Sequence, residues 1–200
     1  MPDGNPAGGI PAEKCLNIPN ALSLYRLASF PVLLWLAWSG HERIFSVLFS
    51  INLATDILDG LIARLTNSAT EFGARLDSIA DFTTWLLAIY GIARFHWPEL
   101  RPQAVWLMAV VATWLATYAV GYLRFHRFPS LHLYSSKAAA YLQGIYFFVL
   151  FNWGQYSGLF FVAVTAALLA CVEDIWVMFS LREMRSNARG LYWLYKGKHP

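Results

Sequence analysis

Long apolar runs are the feature of this sequence that most constrains its fold. Six stretches of about 20 mostly apolar residues follow one another with short connectors between them. They cover residues 21–38, 44–65, 72–95, 102–123, 138–153 and 159–181. Charged residues make up only 14% of the chain, against roughly 25% in a soluble domain. The sequence therefore predicts an all-α integral membrane protein with six transmembrane helices.

Little of the chain lies outside these stretches. Residues 1–15 are rich in glycine and proline and are expected to be disordered, and CLNIPNALSLYRL is expected to form a short N-terminal interfacial helix. Residues 183–200 are expected to form a cytoplasmic tail, in which basic and aromatic residues suit an anionic membrane surface. Because the connectors leave no room for a soluble domain, residues 1–200 are predicted to form one membrane domain.

Lysine and arginine are distributed unevenly between the two ends of the predicted spans. With the N terminus in the cytoplasm, only Arg43, Arg94 and Arg101 of the 15 basic residues face the other side. The positive-inside rule therefore predicts that both termini and the connector after the second span are cytoplasmic. The net charge of +3 is explained by this topology, so no nucleic-acid partner is expected.

Four aspartates stand out within the second and third apolar stretches. At a helix centre each carboxylate costs about 2.5 to 3.5 kcal/mol to insert, so something must compensate them. Helical spacing places the relevant residues of each helix on one stripe. The first stripe contains Asp56, Asp59, Gly60, Ala63 and Arg64, and the second contains Gly73, Asp77 and Asp81. Two antiparallel helices with a short connector can turn these stripes toward each other.

An all-oxygen cluster of this kind suits hard divalent cations. Mg²⁺ and Mn²⁺ prefer carboxylate ligands, and a pair of such ions is a common device for phosphoryl-type displacement. Histidine and cysteine are absent from both stripes, which argues against zinc. The alternative for the acids is a salt-bridge network with Arg64 and Arg75, but two cations do not neutralise four carboxylates. The alternative for the small residues is close helix packing.

The segments DILDGLIAR and GARLDSIAD together carry a known signature. Their fixed positions match D-x-x-D-G-x-x-A-R…G-x-x-x-D-x-x-x-D, and the chain therefore resembles the CDP-alcohol phosphotransferase (CDP-alcohol phosphatidyltransferase) family, class I. The entry segment NIPNALSLYR and the six-span layout are also similar to that family. The resemblance implies a transferase that moves a substituted phosphate from a CDP-linked donor to a hydroxyl and releases CMP, with two Mg²⁺ or Mn²⁺ ions.

The same resemblance assigns roles to the signature residues. Asp56, Asp59, Asp77 and Asp81 would bind the metals, and Asp81 would also be the general base that deprotonates the attacking hydroxyl. The nucleotide site would be shaped by Gly60, Ala63, Arg64 and Gly73.

The short, bacterial-like plan most resembles the branch that uses CDP-diacylglycerol in phospholipid biosynthesis. This implies a homodimer in a bacterial inner membrane with a cytoplasmic active site. The acceptor would be serine, an inositol-type alcohol or glycerol phosphate. Ser78 and Phe82 stand where the branch using glycerol phosphate often has Pro and Lys, which disfavours that acceptor.

The connector before the fifth span is the candidate acceptor or phosphate site. Arg124 and Lys137 flank it and could bind a phosphate group, although positive-inside topology also explains them. His126 and His132 are interpreted as interfacial. Glu173 and Asp174 interrupt the sixth span, and one of them is expected to pair with Arg124 or Lys137 or to contact the acceptor.

Two other classes of protein remain alternatives. Intramembrane carboxylates also mark divalent-cation or proton-coupled transporters, but such proteins usually carry internal repeats and place their acids near the midplane. A membrane scaffold without activity is disfavoured because every signature position is intact.

Overall fold

The computed structural model describes residues 17–66, 71–126 and 133–180, without the side chains of residues 63, 64, 71, 74 and 75. Within these ranges every regular element is helical, as a chain in lipid requires because its backbone must satisfy its own hydrogen bonds. The long helices are α1 (Ile18–Trp38), α2 (Glu42–Leu65), α3 (Glu71–Gly91), α5 (Ala104–Phe125), α6 (Tyr134–Trp153) and α7 (Ser157–Ser180). A π-helical segment (Ile92–His96), a short helix α4 (Trp97–Leu100) and a 3-10 turn (Arg101–Gln103) connect α3 to α5.

Four stretches are long and apolar enough to cross a membrane. They are Ile18–Trp38, Glu42–Ile62, Leu76–Phe125 and Ser157–Ser180. The third contains 50 residues, which exceeds the length of one crossing of about 20 residues. An all-helical protein with membrane-spanning helices is therefore confirmed, whereas six crossings remain a prediction. The predicted disordered start (residues 1–15) and cytoplasmic tail (residues 183–200) lie outside the described residues.

The first helix differs from its prediction. From Ile18 onward the expected interfacial segment is continuous with the first span, and α1 runs to Trp38 with Pro31 inside it. The side chain of Asn17 caps the helix by accepting a hydrogen bond from the Asn20 N–H at 2.9 Å, and Pro19 fits the first turn because that turn needs no donor. Residues 18–27 therefore form no separate helix.

The described part of the chain divides into two compact units, one that ends at Gly91 and one that begins at Ile92. In the first unit α1 packs against both α2 and α3. Its apolar half contains the fully buried side chains of Leu33, Phe45 and Phe49, and the rings of Phe45 and Phe49 are stacked at a centroid distance of 5.5 Å. Toward the N-terminal end of α1 the packing becomes polar, beginning with the buried Asn52, whose Nδ2 donates to Ser29 Oγ at 2.8 Å. This polar half contains the candidate site.

In the second unit α7 packs against α5 and α6. The buried face of α7 carries small residues, including Ala163, Ala167 and Ala170, which allow close helix packing. Helix α6 ends at Gly154, where φ is 93°. An L side chain is strained at that φ, so glycine permits the tight connection to α7.

Candidate active site

One face of α1 is polar although it lies within an apolar span. Asn20, Ser23 and Arg26 recur every three residues, and only 6%, 3% and 1% of their respective surfaces are exposed. Residues at this spacing lie on nearly the same face of a helix. The structure turns this face toward α2 and α3.

The guanidinium of Arg26 contacts all four signature aspartates. Its Nη1 bonds to the carboxylates of Asp56 and Asp81, the latter at 2.8 Å. Its Nη2 bonds to those of Asp59, also at 2.8 Å, and Asp77. Each terminal nitrogen thus joins one aspartate of α2 to one of α3, and Arg26 cross-links the three helices of the first unit.

The two acidic stripes come together around one small volume, with oxygens of Asp56, Asp59 and Asp77 within 4.8 Å of one another. They meet beside α1, which packs against α2 and α3 far more extensively than these pack against each other. The alternative salt-bridge network was assigned to Arg64 and Arg75, whose side chains lie outside the described part of the chain. The cation that the structure places among the acids is Arg26.

The four carboxylates differ in their access to a ligand. The side chain of Asp59 is 6% exposed, and its Oδ2 also accepts a hydrogen bond from Ser23 Oγ at 3.3 Å. The side chains of Asp56, Asp77 and Asp81 are 43%, 44% and 49% exposed. The cluster therefore has a closed side at Arg26 and Asp59 and an open side formed by three half-exposed carboxylates.

The donor set fits a divalent cation. Single carboxylate oxygens of Asp56, Asp59 and Asp77 all lie within 4.8 Å of one another, and oxygen ligands are those that Mg²⁺ and Mn²⁺ prefer. The Arg26 guanidinium forms ion pairs with the same carboxylates, so one positive charge already lies among them. Asp81 is connected to these three aspartates because it also accepts a hydrogen bond from Arg26 Nη1.

The remaining signature positions lie on the same two helices. Gly60 follows Asp59 in α2, and a Cβ built on it would meet no described atom within 4 Å. Gly73 lies one turn before Asp77 in α3. Ala63 and Arg64 belong to α2, and their side chains lie outside the description. Open space at Gly60 is what a flat ligand close to the backbone requires.

The candidate acceptor residues belong to the second unit. Arg124 is exposed near the end of α5, donates through Nη2 to the Phe179 carbonyl at 3.1 Å and lies over the Phe179 ring. Lys137 is exposed in the first turn of α6, and His126 caps α5 at a φ of 53°. His132 lies outside the described residues. An acceptor role for Arg124 and Lys137 stays a prediction.

Ser136 is a partner of Asp174 in the structure. The two carboxylate oxygens of Asp174 accept hydrogen bonds from Ser136 Oγ at 2.9 and 3.0 Å. This contact forms because α6 packs against α7 and brings a hydroxyl donor to the carboxylate. The pairing of Glu173 or Asp174 with Arg124 or Lys137 stays a prediction.

Sequence reasoning assigned Arg26 no role in the site. It was counted as a positive residue on the cytoplasmic side and as the last residue of the entry segment NIPNALSLYR. Two signals were available, because an ionisable residue within a span marks a functional site by default and because Asn20 and Ser23 share its helix face.

The fold and the site together define a class of protein. An all-helical membrane chain whose carboxylates converge at one end of a helical unit has the oxygen-lined site that metal-assisted phosphoryl-type transfer uses. The chain belongs to the CDP-alcohol phosphatidyltransferase family, whose profile matches residues 16–176. It is therefore a membrane transferase of phospholipid biosynthesis.

Two relatives illustrate the similarity. A cardiolipin synthase (CMP-forming) of Streptomyces coelicolor is 30% identical over 173 residues, which cover 84% of this chain and 78% of that protein. A CDP-diacylglycerol–glycerol-3-phosphate 3-phosphatidyltransferase of Salmonella typhimurium is 30% identical over 103 residues, covering 50% of this chain and 53% of that protein. The alignment thus spans about half the length of the second relative. No solved structure shows significant similarity to the chain.

Proposed function

We propose that the chain transfers a phosphatidyl group from CDP-diacylglycerol to the hydroxyl of a polar alcohol and releases CMP. The observation that carries this proposal is the convergence of Asp56, Asp59, Asp77 and Asp81 on one point, with three of the four open to a ligand. Family membership supports the same reaction.

The aspartates are proposed to hold divalent cations, Mg²⁺ or Mn²⁺, in a two-ion site. When bound, such ions would supply positive charge that offsets the negative charge of the diphosphate and of the departing CMP. Asp56, Asp59 and Asp77 offer oxygens close enough to share one ion. The buried Asp59, fixed by Arg26 and Ser23, would orient the ligand set from the closed side.

Asp81 is proposed to be the general base. Its side chain is the most exposed of the four at 49%, so it can reach a substrate hydroxyl as well as the cluster. The hydroxyl oxygen attacks the phosphorus next to diacylglycerol, its proton passes to the Asp81 carboxylate, and the bond between that phosphorus and the CMP oxygen breaks. One P–O bond forms as one breaks, so a single in-line displacement completes the transfer.

The nucleotide is proposed to lie against α2 and α3 at Gly60, Ala63, Arg64 and Gly73. Gly60 supports this because its missing side chain leaves open space beside the cluster. A cytidine there would place the diphosphate near the half-exposed carboxylates and their cations.

The proposed acceptor is a glycerol hydroxyl, with phosphatidylglycerol as the first candidate. The relative that aligns over most of both chains is a CMP-forming cardiolipin synthase. Cardiolipin carries two phosphatidyl groups on one glycerol, so a route that forms CMP adds the second group to phosphatidylglycerol. Glycerol 3-phosphate, serine and inositol-type alcohols are the competing acceptors, and Ser78 and Phe82 argue against glycerol 3-phosphate.

The protein is proposed to cross a bacterial inner membrane six times, as a homodimer with both termini in the cytoplasm. The asymmetry of lysine and arginine supports the orientation. Six crossings are consistent with the 50-residue apolar stretch Leu76–Phe125, because it is long enough for two crossings of about 20 residues each. With the other three stretches this makes five crossings, and the 20-residue helix α6 would supply the sixth.

The decisive experiment measures CMP release by purified protein with CDP-diacylglycerol and Mn²⁺. The acceptors tested are phosphatidylglycerol, glycerol 3-phosphate, serine and an inositol phosphate. We expect CMP and cardiolipin with phosphatidylglycerol, loss of both in Asp81→Asn, and wild-type rates in the control Glu42→Gln, an exposed carboxylate at the start of α2. Absence of CMP with every acceptor would refute the proposed transferase activity. If CMP is not released but the protein carries ions into vesicles in a way that depends on the aspartates, the transporter function would be favoured instead.

A further inference from the structure

Arg26 is more deeply buried than any of the aspartates that it contacts. Its side chain is 1% exposed, whereas those of Asp56, Asp77 and Asp81 are 43% to 49% exposed. It comes from α1, outside the signature on α2 and α3. The guanidinium therefore reaches the carboxylates from inside the unit, opposite the side that faces a ligand.

The charges at this point do not balance. One guanidinium faces four carboxylates, and each carboxylate bonds to it through a single oxygen. The Nε–H of Arg26 is buried and has no hydrogen-bond partner among the described residues. An arginine optimised as a permanent anchor would satisfy all five of its donors, so this contact leaves both charge and hydrogen bonding incomplete.

Four carboxylates at such short range would repel one another without a cation. Arginine suits the task of holding them because its planar fork presents several donors in fixed directions, whereas lysine is a compact point charge. Each terminal nitrogen of Arg26 bridges α2 and α3. The residue can therefore keep the two helices in register while the cluster awaits its ligand.

We propose that Arg26 is an internal counter-cation of the acidic cluster. In the metal-free protein it holds the four carboxylates together, and it gives up part of these contacts when a divalent cation binds on the open side. Arg26 is then a positioning residue that preforms the cluster and competes for its oxygens. This inference rests on the proposed use of the cluster as a metal site.

Metal-free stability and Mn²⁺ binding test the proposal without any substrate. The variants are Arg26→Gln, which removes the charge, and Arg26→Lys, which keeps it without the fork. The control is Arg43→Gln, an exposed arginine near the start of α2. Thermal unfolding in detergent, with EDTA or with saturating Mn²⁺, gives the stability. The electron paramagnetic resonance signal of free Mn²⁺ gives the affinity.

We expect Arg26→Gln to lower the metal-free Tm by about 5 °C or more, because removing the guanidinium leaves the negative charges of the four carboxylates uncompensated. Mn²⁺ should restore most of this loss, so its Tm increment exceeds that of the wild type. The affinity of Arg26→Gln for Mn²⁺ should rise by about tenfold or more, since a competing positive charge is gone. Arg26→Lys, which lacks the planar fork and so makes fewer of these contacts, should change in the same directions by smaller amounts, and Arg43→Gln should match the wild type throughout.

Two results would overturn the proposal. If Arg26→Gln and Arg26→Lys gain no more from Mn²⁺ than the wild type, Arg26 is a fixed structural anchor. If Arg26→Gln binds Mn²⁺ more weakly, Arg26 assists metal binding and does not compete with it. Should Arg26→Gln fail to fold, Arg26→Lys still decides between these outcomes. If Arg26→Gln shows the expected gain in Tm and affinity with Mn²⁺ but the wild type releases no CMP, this inference stands and the proposed transferase activity is contradicted. If the wild type releases CMP but Arg26→Gln shows no such gain, only this inference is contradicted.

Discussion

Replacing Gly60 with alanine tests the nucleotide site most directly, because it separates ligand crowding from protein crowding. Gly60 lies inside helix α2, and the Cβ of an alanine would meet no described atom within 4 Å. The described part of the protein therefore does not oppose the methyl group. Glycine inside a helix is less favourable than alanine by about 0.5 to 1 kcal/mol, so Gly60→Ala should raise the Tm by about 1 to 4 °C.

The same methyl group would occupy the space proposed for the cytidine. Overpacking of a fitted site costs about 1 to 3 kcal/mol, which corresponds to a loss of about 5- to 150-fold in kcat/KM for CDP-diacylglycerol. The assay is CMP release over a range of CDP-diacylglycerol concentrations, paired with thermal unfolding of the same preparation. A more stable but less active enzyme is the expected result.

Gly144→Ala is the matched control. Gly144 lies inside α6, and a Cβ there would also meet no described atom within 4 Å, but it is outside the signature. It should gain similar stability and keep wild-type kcat/KM. Unchanged kcat/KM in Gly60→Ala would refute the nucleotide placement, and an equal loss in Gly144→Ala would assign the effect to the helices in general.

Three further perturbations follow from the contacts of individual side chains and of the acidic cluster. Asp81→Asn should abolish CMP release while changing the Tm little, because its half-exposed carboxylate contributes to folding mainly through Arg26; a folded variant with wild-type turnover would contradict the general-base role. Asp59→Asn should lower both the Tm and CMP release, since its carboxylate is buried against Arg26 and Ser23; an unchanged melting curve would argue against this packing role. Chelation with EDTA should stop CMP release and lower the Tm, with recovery on adding Mn²⁺ or Mg²⁺; full activity in EDTA would contradict the metal site.

The helical stripes could be predicted from the sequence because helix periodicity is local. Spacings of three and four residues place Asp56 with Asp59, and Asp77 with Asp81, whatever the rest of the chain does. The structure brings these two pairs to one point. The expectation that cations compensate these carboxylates followed from residue type alone, since four negative charges within apolar helices are costly.

The helix that supplies the buried cation could not be predicted in the same way. Periodicity shows which residues share a face, but the neighbour of that face is set by tertiary packing. Arg26 also fits the positive-inside rule, so topology alone explained it. Asp174 illustrates the same limit, because helix spacing does not show that the packing of α6 on α7 brings the Ser136 hydroxyl to its carboxylate.

The asymmetry of the cluster determines how a substrate can approach it. The closed side is occupied by Arg26 and Asp59, both almost fully buried among α1, α2 and α3. A diphosphate therefore has to meet the cluster through Asp56, Asp77 and Asp81, the carboxylates that remain half-exposed. Because all three are negative, the donor's phosphates would be repelled unless divalent cations bind between them. In the proposed mechanism the divalent cation therefore binds on the open side and Arg26 remains beneath it, so that one buried residue preforms a site for a ligand of its own charge.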